Sequence, residues 1–219
     1  MNVNQLKEFI YSIANKDQSG NLPTPEQFNL YLARANEDKF RIEYGLREQA
    51  GNEKFWQASQ NTTDALSKFV VFGALTSVAQ GKFSLPANYV HMSSLSWFNG
   101  TKRVSVMIIN DDEYANLISN PIIPPTNDYP IARFVSYQVW TDPPLPSLDA
   151  SYLRMPVTPV WGYNIVNDEP VYDPATSVQL EWADIYHIDF AAIILGYMGI
   201  QFREQELEQY AIKVQQTGQ

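Results

Sequence analysis

The chain has no cysteine, two histidines, and charged side chains at only 18% of its 219 positions. Each shortage excludes something. Without cysteine there is no disulfide framework, thiolate zinc site, iron–sulfur cluster or cysteine nucleophile. His91 and His187 are too few for a histidine-built metal centre. No Gly-x-Ser-x-Gly accompanies them, so a serine hydrolase has no motif. No phosphate-cradling or dinucleotide-binding glycine pattern occurs. Long apolar runs are missing too. The longest, residues 190–200, is interrupted by Gly196 and Gly199 and is too short to span a bilayer. Basic charge is scarce: 15 Lys and Arg stand against 24 Asp and Glu, a net −9. That balance argues against a protein that grips nucleic acid. Residues 1–8 lack the basic-then-apolar order of a signal peptide. The expectation is a soluble chain made in a cytosol, without membrane contact. So little charge leaves many neutral-polar and apolar side chains for the surface, which suggests a subunit with covered faces.

What is present divides the chain in three. Both ends read as helical. Val3, Leu6, Ile10 and Ile13, with Phe9, form an apolar stripe at helical spacing. Thr24, Pro25 and Gln27 mark the next helix start as cap, first helical position and capping-box glutamine. Phe28, Leu32, Ala35 and Phe40 continue the repeat, and Gly45 is the expected stop. Ile185, Ile188, Ala192 and Leu195 line a later helix, with Gly199 as its C-cap. A last helix is expected over 203–216. The middle carries 12 of the 14 prolines, from Pro86 to Pro174. Strand-like runs recur there at 69–76, 102–109, 131–136, 137–141 and 151–155. Asn99-Gly100 is a hairpin signal, and 111–119 reads as one short helix. The expected fold is α+β. Residues 1–78 and 180–219 form a helical bundle, and 79–179 form an inserted, small β-rich domain with Pro-rich loops.

Several constellations invite a chemical reading. Asn15 to Glu26 places oxygen side chains at loop positions one, three and five, Gly20 at six and Glu26 at twelve. That resembles a calcium loop between helices. Asn stands at position one, only Asp17 and Glu26 bring charge, and no second hand exists, so a capped helix connection explains it better. Asp184, His187 and Asp189 suggest a carboxylate–imidazole cluster. On a helix, however, Asp189 is turned away from the other two. Acids at a helix start account for the pattern. Asp111-Asp112-Glu113 and Asp168-Glu169 are adjacent acids of the kind found at helix starts and turns. No catalytic residue, metal site or cofactor is expected, and the chain is not read as an enzyme. Trp97, Trp140, Tyr152, Trp161, Tyr163 and Tyr172 lie among prolines. They suit a core, a protein interface or a carbohydrate-binding face.

One stretch goes beyond pattern. Tyr152-Leu-Arg154-Met-Pro156-Val-Thr-Pro159-Val-Trp161-Gly-Tyr163, followed by Val171 to Trp182, resembles virion proteins of short-tailed phages of Bacteroidetes, including crAss-like phages. So do residues 185–199, 203–211, 14–20 with 25–29, 85–89 and 121–125, in the same order along the chain. These proteins resemble head-to-tail connector subunits, the adaptors or ring proteins. The resemblance implies a structural virion protein at the head–tail junction, assembled in the host cytoplasm. It implies self-association into a dodecameric ring beneath the portal, with DNA passing through unbound. Its partners would be the portal protein and the next tail or neck ring. Subunit contacts would come from Tyr152, Arg154, Pro156, Trp161, Tyr172 and Trp182. Portal contacts would come from Arg203, Glu206, Leu207, Tyr210 and Lys213. An acidic lumen suits a conduit, because a basic one would hold phosphates and trap the duplex. The competing expectation is a carbohydrate- or receptor-binding tail module that uses Trp140 and Trp161.

Overall fold

The structure, a computed structural model, describes residues 1–16, 22–49, 64–122 and 124–199. The chain forms two compact units. One comprises Met1–Ala65 with Pro156–Gln219, and the other is Leu66–Met155.

The central unit is one eight-stranded mixed sheet. Its strands are β1 (Val70–Ala74), β2 (Thr76–Ala79), β3 (Lys82–Ser84), β4 (Tyr89–Phe98), β5 (Arg103–Ile108), β6 (Ile131–Val135), β7 (Gln138–Asp142) and β8 (Asp149–Arg154). They lie in the order β1-β8-β4-β5-β6-β7-β3-β2, and only β5–β6 is parallel. The first and last strands of that order are separated in the chain by Leu75 alone. The sheet therefore curls until its two ends belong to one extended stretch. Leu75 is buried at this junction, and its N–H donates to the Leu148 carbonyl at 2.8 Å. Inside the curl lies a single apolar cluster drawn from nearly every strand: Phe83, Met92, Leu95, Trp97, Val104, Val106, Ala132, Val139, Ala150 and Tyr152, with Leu145 and Leu148. A curled sheet with one packed face is how a strand-rich unit this small hides its apolar side chains. One short helix, α3 (Asp111–Ile118), sits in the β5–β6 connection, with three acids in its first turn facing the helix dipole.

The other unit holds α1 (Val3–Lys16), α2 (Pro25–Gln49), α4 (His187–Tyr197) and a separate two-stranded hairpin, β9 (Tyr163–Val166) with β10 (Glu169–Tyr172). Helix α1 starts on a capping box: Gln5 N–H donates to Asn2 Oδ1, and Asn2 N–H to Gln5 Oε1. Thr24 and Gln27 make the same exchange at the start of α2, as their spacing predicts. Val3, Leu6, Ile10 and Ala14 are buried along α1, and Phe28, Leu32, Ala35 and Phe40 along α2. Helix α4 packs on both. It brings Phe190, Ala191, Ile194 and Leu195 inside, and ends where Gly199 takes φ +77°.

This architecture overturns the expected helical bundle with a small inserted β domain. The dominant element is the eight-stranded sheet. With the helices runs the chain from 156 to 182, irregular outside the β9–β10 hairpin, which carries the buried Trp161 and Trp182. The sheet was underestimated because β4 hides its period. Two register shifts, at Tyr89/His91 and Met92/Ser94, break the alternation, so a serine-rich strand reads as loop. Strands β2 and β3 are short and mostly polar, and give no alternation to read. Gly45 does not end α2, which continues to Gln49. A glycine stops a helix by adopting positive φ, and Gly45 does not.

Candidate functional site

The most heavily built part of the molecule is the seam between helix α2 and residues 156–182. Outside the β9–β10 hairpin and the Val160–Val178 bridge, this segment has main-chain groups that no strand satisfies, and side chains bond several of them. Asn29 stands in for a strand partner. Its amide nitrogen donates to the Trp161 carbonyl at 3.1 Å, and its oxygen accepts from Trp161 N–H at 2.7 Å. Two helical turns later, on the same face, Asn36 donates to the Val157 carbonyl at 3.3 Å and accepts the Trp182 indole N–H at 2.9 Å. The Trp161 indole N–H goes to Asn4 Oδ1 at 2.9 Å, and Glu181 accepts from Val157 N–H at 2.7 Å. Trp161 is thus anchored through both main chain and indole, and Trp182 through its indole.

Deeper on the same face, Lys39 is buried with Glu43 at 2.6 Å and Asp189 at 2.8 Å. Burial pulls its ammonium pKa down, but the two carboxylates outweigh that and leave it raised. Asp189 therefore serves Lys39, while Asp184 lies 3.4 Å from His187 Nδ1. The three residues that invited a cluster are divided between two jobs. Among the described residues, no group of three or more His, Asp or Glu could hold a metal ion. Residues 17–21 of the Asn15–Glu26 loop lie outside the described residues.

Beside the seam is an open pocket of ≈ 530 Å³, lined by Lys7, Tyr11, Trp161, Pro170 and Tyr172. The Lys7 ammonium sits 3.1 Å above the Trp161 ring. Burial lowers its pKa to about 8, against the opposing pull of Glu8. Burial also pushes Tyr11 up to about 12. A second, apolar pocket of ≈ 350 Å³ lies in the central unit, between Met107, Leu117, Pro124, Pro125, Tyr129 and Ile131.

The residues expected at subunit contacts separate by burial. Trp161 is 2% exposed and Trp182 3%, both within their own unit. Tyr152 faces the sheet core, 6.2 Å from the Tyr89 ring. Pro156 is buried, and Arg154 and Tyr172 are half-buried. Arg154 donates to the Met155 carbonyl and lies 5.7 Å from the Phe69 ring. Arg203, Glu206, Leu207, Tyr210 and Lys213 lie outside the described residues. The aromatics expected at a carbohydrate face are covered by cations. Lys82 lies 3.9 Å and Arg133 5.4 Å from the Trp140 ring, and Lys7 lies on Trp161.

Exposed apolar side chains lie elsewhere. The sequence names Ile185 and Ile188 as lining a helix face with Ala192 and Leu195, but of these four only Leu195 is buried; the buried face of α4 is Phe190, Ala191, Ile194 and Leu195. The central unit exposes Tyr137 (86%), Ile122 (84%) and Tyr129 (80%), and the other unit exposes Ile185 (77%) and Ile165 (70%). Ile122 belongs to the proline run and Ile165 to a hairpin with no buried face. Neither has a periodic context that would mark it. No family model and no curated protein matches the chain. No helix among the described residues is long and apolar enough to cross a membrane.

Proposed function

We propose that the chain is a structural subunit of a phage head-to-tail connector, forming a ring beneath the portal through which DNA passes. The observation that carries this reading is the exposure of large apolar side chains on both compact units, each well separated in sequence. Apolar side chains scattered singly are ordinary on a monomer's surface, so it is their presence on both units together that this reading uses. A ring subunit covers one face with each neighbour and further faces with the rings above and below. The resemblance of residues 152–182 to connector proteins supports the same assignment. The net −9 charge suits a channel that must not retain the duplex. Rigid seams such as Asn29–Trp161 and Asn36–Trp182 suit a part whose role is to hold shape under load. The subunit acts by assembly and carries out no chemistry.

The test is electron microscopy of the protein mixed with a short-tailed phage portal. The expected result is a ring seated on the portal's narrow end. A chain that stays monomeric at high concentration, both alone and with portal, would sink the assignment.

A further inference from the structure

Two structural features lack partners among the described residues, and they match each other. The first is the β9–β10 hairpin. It pairs with no other strand, and six of its eight strand residues are exposed. An isolated two-stranded hairpin is marginal in water. Among the described residues, the hydrogen bonds that hold this one to the rest of the chain lie at its base. Asp173 accepts from Ala175 N–H, Thr176 Oγ1 and Asn164 Nδ2, and its own N–H donates to the Gly162 carbonyl at 2.9 Å. Beyond that base, Ile165, Val166 and Val171 stand in solvent.

The two outer edges of the hairpin differ. Val166 and Glu169 flank a two-residue turn and so exchange both ladder bonds. Ile165 and Pro170 form the next pair, whose main-chain groups point outward. Pro170 has no N–H, so β10 cannot accept another strand there. The edge of β9 keeps both groups of Ile165.

The second feature is the free edge of β1. This strand pairs with β8 on one side only, through five consecutive residues with no irregularity. Val70 and Phe72 are exposed along it. Natural edge strands are usually guarded by charge, proline or a bulge. Residues 70–79 contain no charged residue and no proline. Among the described residues, no strand covers this edge.

We propose that β9 of one copy adds to β1 of the next copy, continuing the neighbour's sheet. Charge agrees with the pairing. The hairpin from 163 to 172 carries Asp168 and Glu169 and no cation, whereas 68 to 82 carries Lys68 and Lys82 and no acid. Donor and acceptor are different surfaces, so the contact is head-to-tail, and it closes into a ring where the rotation permits. A single four-residue addition is weak, and closure multiplies it. This inference rests on the connector reading and names its subunit contact.

The chain has no cysteine, so cross-linking can be addressed to chosen pairs. Ile165→Cys protein is mixed with Phe72→Cys or Val70→Cys protein and oxidised. All three positions are exposed, so the variants should fold, which far-UV circular dichroism and a cooperative melt would check. The expected product is the disulfide-linked heterodimer, in about tenfold excess over either homodimer. A doubly substituted chain should give a ladder of covalent multimers. Folded variants that give no heterodimer at either position overturn the contact, as does a predominance of Ile165→Cys homodimer. A ring on the portal without these cross-links rejects the contact and leaves the connector reading standing. Cross-links without such a ring support the contact and count against the connector reading.

Discussion

Hairpins β6–β7 and β9–β10 turn on the same geometry. Each uses two non-glycine residues with positive φ, Ser136–Tyr137 in one and Asn167–Asp168 in the other. Both turns match the right-handed twist of their strands. Beyond the turn the two diverge. In β6–β7 Ile131, Ala132, Val139 and Thr141 are buried, Ala132 and Val139 fully. In β9–β10 only the base residues Tyr163 and Tyr172 are even half-buried. Turn chemistry therefore fixes register in both, while only one hairpin draws stability from burial. The first is a wall of the molecule, and the second is an arm fixed at its root.

The largest effect that would sharpen this contrast comes from the core side. Phe83 is fully buried and pairs opposite Val139. Phe83→Ala should cost about 3–5 kcal/mol in urea unfolding, from lost burial and the cavity left behind. Ile165→Ala on β9 should change the monomer's stability by no more than about 0.5 kcal/mol. Equal losses would mean that the arm is packed within its own chain, and the contrast would fail.

An intermediate effect lies in the turns. Tyr137 holds φ 60° with a bulky side chain, in a conformation that costs an L-residue about 1–2 kcal/mol. Tyr137→Gly should raise global stability by roughly 0.5–1 kcal/mol after glycine's own entropy cost. Its carbonyl, which accepts from Leu85 N–H at 3.0 Å, is unaffected. Asp168→Gly relieves the same kind of strain, but where opening does not require unfolding the rest. It should slow amide exchange across 163–172 and leave the global midpoint unchanged. A global shift from Asp168→Gly would show that the arm is coupled to its unit beyond the base.

The sequence made one kind of information easy to read. Thr24, Pro25 and Gln27 announce the start of α2 because a cap needs only its own neighbours. Asn99-Gly100 marks the β4–β5 turn for the same reason, and Gly100 takes φ +90° there. Strands β5 through β8 fall close to the runs read from composition. What stayed hidden depends on distant partners. Asn29 and Asn36 read as ordinary polar positions. Their role exists only because residues 156–182 run past α2 without a strand to pair with. Their spacing of seven beside Phe28, Leu32 and Ala35 was the available signal. Trp161 and Trp182 read as surface anchors because tryptophan suits an interface and a core equally well. Their indole N–H partners, Asn4 and Asn36, decide for the core. The β9–β10 arm has no buried face, so no hydrophobic period could reveal it.

The smallest effect tests how the arm is rooted. Tyr163, at the base of β9, donates its hydroxyl to Glu26 on α2. That bond, with hydrogen bonds from the Glu26 main chain and Thr24 behind it, lowers the Glu26 carboxyl pKa, and it raises that of the Tyr163 hydroxyl. The signs follow from linkage. Glu26 contributes stability above its unfolded pKa, and loses it as pH falls through the depressed folded value. Tyr163 contributes below its unfolded pKa, and loses it as pH rises through the elevated folded value. Wild type should therefore exceed Tyr163→Phe on a plateau across neutral pH, and the two should converge at both extremes. Glu26 is exposed and Tyr163 only half-buried, so solvent screens the interaction and the plateau should be low. Thermal unfolding at acid, neutral and alkaline pH would show it. A difference that persists unchanged into acid would mean that the hydroxyl matters through packing alone. The arm would then be rooted by the ring stack of Tyr163 on Trp161, at 5.5 Å between centroids, and not by its bond to α2.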